Sequence, residues 1–143
     1  MSTECIFCDH PRESEISVYA NTIVIGFPRP VKAGHVAVAP IRHVTSFGGL
    51  EASEATELGR VCFEVGRAME VSLGAEHVYV LRIGDRDPHI HFHLLPKFPG
   101  EPSLGTYVFG SSGWRAALAE TNLDHHVELT TELRDRLTAS DDS

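Results

Sequence analysis

The chain has 143 residues, 42% of them hydrophobic and 22% charged, which is the balance of one soluble domain with a single core. Its formal net charge is −8, most of it after residue 119, so the main body is nearly balanced and lacks the basic stripe of a nucleic-acid binder. No apolar run approaches the ~18 residues of a membrane span, and no basic segment leads into an apolar one at the start, so a cytoplasmic protein is expected.

The first motif is Cys5-Ile6-Phe7-Cys8, whose two-residue gap suits a redox pair, one half of a zinc site, or coincidence. A redox pair normally opens a helix after a strand, whereas this one stands at the start of the chain with Pro11 close behind. If the pair holds a metal, the remaining ligands come from distant residues, and histidines are the natural donors. The third cysteine, Cys62, lies in a helical pattern and reads as a small hydrophobe, and an odd count argues against a disulfide framework.

Residues 16–19 and 23–26 are short apolar runs around Ala20-Asn21-Thr22 and read as a hairpin. Pro28 and Pro30 make residues 27–34 a loop. His35 then leads a third strand, 36–40, and taken alone it reads as a strand-start histidine bonded to backbone. A helix capped by Ser53, or earlier by Thr45 or Ser46, is expected to run to about Leu73, with Gly74 as its stop. Its apolar face is Ala55, Leu58, Cys62, Val65 and Met69, with Glu54, Glu57, Arg60, Glu64 and Arg67 largely opposite.

The next strand is 78–83, joined by the five-residue turn 84–88 to a strand that starts at His89, as an antiparallel hairpin. After Pro96 the composition shifts to a loop with Pro99, Gly100, Pro102 and Gly105, followed by the apolar run 106–109. Gly110-Ser111-Ser112-Gly113 offers amides and hydroxyls suited to a phosphate, and equally suits a plain loop. Residues 115–120 and 126–138 look helical, with Leu129, Leu133 and Leu137 spaced by four. No repeat appears, and the whole of 1–143 reads as one α+β domain.

The segment 87–97 carries the chemistry. His89, His91 and His93 alternate with Ile90, Phe92 and Leu94, the period of a half-buried strand with imidazoles on one face about 6–7 Å apart. On a regular strand the outer two rings stand roughly 13 Å apart. All three therefore cannot share one zinc at about 2.0–2.1 Å, which leaves at least one imidazole for other work. The run from His89 to Leu95 resembles, at all seven positions, the signature of the histidine triad family of nucleotide hydrolases and transferases.

The resemblance implies an antiparallel sheet of about five strands with one long helix and C-terminal helices. It implies a covalent mechanism in which His91 attacks phosphorus, aided by His93 and by His35 of the Gly34-His35 pair. It also implies a structural zinc site of Cys5, Cys8, His43 of Pro40-Ile41-Arg42-His43, and His89. Ile6 and Phe7 match apolar residues that line the base pocket, so Ile6, Phe7, His35 and His93 are the expected nucleotide-binding residues. The expected partners are a nucleotide substrate, such as a dinucleoside polyphosphate, nucleoside phosphoramidate or adenylylated compound, and a second copy in a homodimer.

Two departures stand out. Arg86-Asp87-Pro88 replaces the polar residues that usually precede the triad and touch phosphate, leaving Arg86 or Ser111-Ser112 as candidates for that contact. Phe27 stands where the family tends to place a ribose-binding Asp. The resemblance covers roughly residues 4–97, and 98–143 carry no assignable motif. Two other readings fit the residues: a zinc-stabilised nucleotide-binding module without catalysis, and a metallohydrolase with two triad histidines on an open zinc.

Overall fold

A computed structural model of the protein describes residues 5–103 and 121–141. Five strands form one antiparallel sheet: β1 (Glu15–Val18), β2 (Thr22–Gly26), β3 (Val36–Pro40), β4 (His77–Leu81) and β5 (Phe92–Lys97). Their order is β1-β2-β3-β5-β4, which places β5 inside the sheet and β4 on an edge. Among the described residues two α-helices, α1 (Ala52–Val71) and α2 (Leu123–Asp141), accompany the sheet. The apolar run 106–109, the glycine-serine turn and the helix expected over 115–120 lie outside the described residues.

Alternation along the strands sorts the sheet into two faces. Ile16, Val24, Val36, Val38 and Leu94 pack with Leu58, Val61, Val65 and Met69 of α1 and Leu133 and Leu137 of α2. Each such side chain contributes roughly 1.5–3 kcal/mol on burial. The other face carries Ile23, Ile25, Ala37 and Ala39 under Phe7 and Phe27. Ala37 is the Cα partner of His93, so the smallest side chain of β3 faces a ring of the triad.

Three details differ from the expected elements. The helix cap is Glu51, not Ser53, Thr45 or Ser46, and it forms a capping box with Glu54. The buried stripe of α1 is Glu54, Leu58, Val61, Val65, Ala68 and Met69, whereas Ala55 is exposed and Cys62 only half-buried. Glu54 is covered because Arg42 grips it with two hydrogen bonds, Nε to Oε2 at 2.9 Å and Nη2 to Oε1 at 2.7 Å. That pair holds the carboxyl down at about 2, with the Glu51 N–H as a further cause.

The third difference concerns the triad segment, which is not a strand throughout. β5 starts only at Phe92, so residues 82–91 make a longer connection than a five-residue hairpin turn. The β3–β5 ladder ends at Val38–Phe92. Beyond it Pro40 has no N–H to give, its carbonyl lies 2.8 Å from His89 Nε2, and the Ile90 N–H donates to Val44 O. The alternation survives in which face each side chain takes, with Ile90 and Leu94 in the helical core, but not in burial, since His89, His91 and His93 are enclosed as well.

Candidate functional site

The histidines gather on the sheet face opposite the helices and form two linked clusters. The first joins the start of the chain to the triad. His89 Nδ1 lies 3.2 Å from Cys5 Sγ and 3.2 Å from His43 Nδ1, and Cys8 Sγ lies 3.3 Å from His43 Nδ1. The four ligand atoms of Cys5, Cys8, His43 and His89 all fall within 4.8 Å of one another and could hold a metal ion. A tetrahedral zinc with two N and two S ligands needs separations of about 3.3–3.8 Å, so the set fits. His89 Nε2–H donates to the Pro40 carbonyl, which leaves Nδ1 as the lone pair facing the cluster. Arg42, the residue before His43, is tied through Glu54 to the start of α1, so the helix braces this ligand turn.

The second cluster is a chain of rings whose tautomers follow from its two ends. The Val31 N–H donates to His35 Nδ1 at 3.1 Å, so the proton of a neutral His35 sits on Nε2. That nitrogen is 2.9 Å from His93 Nδ1, and His93 Nε2 is 3.1 Å from His91 Nε2. At the far end His91 Nδ1 is 2.7 Å from the His89 carbonyl, which can only accept. His91 Nδ1 therefore carries a proton and His91 Nε2 a lone pair, with His93 Nε2–H donating to it. One proton order satisfies all three rings.

All three are held neutral. Burial, then the neighbouring His93, His126 and His91, keeps His35 well below its ordinary value. Burial, then His91 and Arg82, brings His93 to about 3. Burial lowers His91 despite the His89 carbonyl, which favours its protonated form. His91 is 2% exposed, with the Phe7 ring 4.6 Å from its own. Phe27 stacks on His35 at 4.5 Å and meets His93 edge-on at 4.9 Å, so it walls the chain of rings. Ile6 is half-buried beside Phe7.

A further histidine was not singled out by sequence. His126 of α2 is buried; the Gly34 N–H donates to its Nδ1 at 3.1 Å, and its Nε2–H donates to the Phe27 carbonyl at 3.1 Å. It thereby clips both ends of the loop that carries the Val31 N–H. Its spacing of three, seven and eleven from Leu129, Leu133 and Leu137 put it on the buried face of α2, and that was the available signal. Gly34 itself has φ +91°, and a Cβ there would stand 2.8 Å from Pro96 Cγ, so the close approach needs glycine. Arg86 is exposed, and Ser111-Ser112 lie outside the described residues.

A consequence follows for acid stability. His35, His93 and His126 are all shifted downward, so between about 6.5 and their folded values the unfolded chain binds more protons than the folded one. The contribution of these rings to stability should be flat above about pH 7 and fall below it, by up to about 1.4 kcal/mol per pH unit for each ring. Urea unfolding across that range checks this, and His126→Gln should remove one ring's share of the slope. A pH-independent curve contradicts it.

Five antiparallel strands backed by helices, with alternating histidines on the opposite face, define a histidine triad type of α+β protein. A HIT domain profile matches residues 21–100, and the chain belongs to the HIT domain family. The bifunctional bis(5'-adenosyl)-triphosphatase/adenylylsulfatase FHIT of Arabidopsis thaliana is 32% identical over 78 residues, which is 51% of this chain and 43% of that protein. This chain thus matches less than half the length of that relative. A zinc-bound histidine triad family protein from Mycobacterium smegmatis is similar at 26% identity and TM-score 0.59, covering 82% of this chain and 94% of that one. Plasmodium falciparum diadenosine triphosphate hydrolase shares the fold at TM-score 0.68 and 10% identity, covering 90% of this chain and 79% of that one. Among the described residues no helix is long and apolar enough to cross a membrane.

Proposed function

We propose that the protein is a nucleotide hydrolase that cleaves a phosphoanhydride or phosphoramidate through a nucleotidyl-His91 intermediate. The observation that carries this is the 2.7 Å contact between His91 Nδ1 and the His89 carbonyl, which leaves Nε2 with the lone pair. In the first step that lone pair forms an N–P bond, and the bond from phosphorus to the leaving group breaks with its electrons on the leaving atom. Burial keeps His91 unprotonated, so no separate base is needed. The His93 Nε2–H, now 3.1 Å from His91 Nε2, is free to donate a hydrogen bond to a phosphoryl oxygen when phosphorus takes that lone pair. His35 donates to His93 Nδ1 and keeps that ring in the required tautomer.

In the second step water attacks phosphorus, the N–P electrons return to Nε2, and the proton lost by the water passes to that freed nitrogen and then to solvent. The imidazole leaves well because Nδ1 keeps its proton against the His89 carbonyl. On this reading Cys5, Cys8, His43 and His89 hold a structural zinc, whose chemistry is cross-linking and not water activation. Ile6, Phe7, His35 and His93 bound the nucleotide.

The near-complete burial of His91, with Phe27 at the ribose position, favours a second reading as a nucleotide-binding module without turnover. One experiment separates the two. Mixing with radiolabelled diadenosine triphosphate, quenching in base and mapping the label should place it on the peptide containing His91. Tight nucleotide binding with neither label nor product would select the binding module instead.

The chain also fits a homodimer built on edge strand β4 and α1. Val80 of β4 and Phe63 of α1 are 56% and 62% exposed. Sedimentation equilibrium should give twice the chain mass for the wild type and the single mass for Phe63→Arg, and a monomeric wild type rejects the dimer.

A further inference from the structure

Arg82 follows Leu81, the last residue of β4, whose Cα partner on β5 is His93. Its guanidinium folds back across Gly84. A Cβ built on that glycine would lie 1.8 Å from Nη1 and 2.5 Å from Cζ, at a φ of +82°. The side chain therefore follows a path that only glycine at 84 leaves open.

At the end of that path Nη1 is buried and has no hydrogen-bond partner. Among the described residues no carboxylate pairs with Arg82, and Asp87, five residues on, faces Arg29 Nη2 at 3.9 Å instead. Arg82 directly follows the Cα partner of His93, and its charge opposes protonation of that ring. A buried donor without an acceptor costs about 1–3 kcal/mol, and more for a charged group. A folded protein tolerates such a group where a ligand brings the acceptor. The planar guanidinium fork matches two oxygens of one phosphoryl group.

We propose that Arg82 is the anion-binding group of this site, that it takes non-bridging oxygens of the phosphoryl group presented to His91, and that it makes the site selective for phosphoanhydrides over phosphoramidates of amines. This rests on the nucleotide reading above and narrows its substrate class. When the P–O bond of an anhydride breaks, its electron pair stays on a phosphate oxygen, and the leaving group departs as an anion attracted to the fixed cation. An amine leaving group must instead gain a proton and departs neutral or as an ammonium, which the same cation repels. Arg82 also fills the role that the exposed Arg86 does not.

The test uses the full chain with Arg82→Gln and Arg82→Lys, and two readouts. By calorimetry, Arg82→Gln should weaken AMP binding about 10–100-fold and leave adenosine binding unchanged, with Arg82→Lys between them. In steady state, Arg82→Gln should lower kcat/KM for both substrates, which share the non-bridging oxygens, and by a clearly larger factor for diadenosine triphosphate than for adenosine 5'-phosphoramidate. If Arg82→Gln melts below the assay temperature, the Lys variant carries the comparison, with the same loss expected in smaller measure. Equal AMP affinity in wild type and variants, or equal losses on both substrates, overturns this inference alone. A wild type that binds no AMP overturns it together with the proposed function.

Discussion

His91→Asn should lower kcat on a dinucleoside polyphosphate by on the order of 10⁴-fold or more, the scale seen when a covalent nucleophile is removed. Asparagine offers no nitrogen lone pair at the Nε2 position, so the N–P bond cannot form, and neither His35 nor His93 replaces it. His35 Nδ1 is occupied by the Val31 N–H, and His93 Nδ1 by the His35 ring. Metal content and the far-ultraviolet spectrum should be unchanged, because His91 contributes no ligand atom to the Cys5–Cys8–His43–His89 cluster. Undiminished hydrolysis by this variant would reject the covalent mechanism.

The second large effect is on stability. Cys5→Ala should abolish stoichiometric zinc binding and destabilise the fold by about 4 kcal/mol when free zinc stands near a thousand times its dissociation constant. The cluster joins residues 5–8 to the turn after β3 and to the segment before β5, so its loss also loosens Phe7 from His89 and His91. Metal analysis by mass spectrometry and a thermal melt measure both parts. Retention of one zinc per chain with an unchanged melt would point to an open site elsewhere, as a metallohydrolase requires.

Local signals in the chain went far, but unevenly. β3 runs over the expected 36–40, because a β-branched and alanine run between a loop glycine and Pro40 leaves little choice of ends. The alternation around Ile90, Phe92 and Leu94 correctly put the apolar residues on the core side. It did not show that the ladder stops at Phe92, because that depends on where Pro40 arrives from another strand. Nor could spacing bring Cys5 to within 3.2 Å of His89, 84 residues away; only the resemblance joined them.

Burial of Glu54 ran against its charge and needed knowledge of Arg42 across the turn. Arg82 was hidden inside an apolar run that read as strand, and its meaning lies in the path of its side chain over Gly84.

His89 belongs to both clusters at once. Its imidazole faces the two cysteine sulfurs, while its main-chain oxygen accepts from the ring two residues on. Any twist that loss of the proposed zinc allows at this one residue is passed along its own backbone to the aim of the proposed nucleophile. Chelators should therefore slow turnover in protein that still circulates as a folded particle, and a spectroscopic probe on the far sheet edge would register nothing.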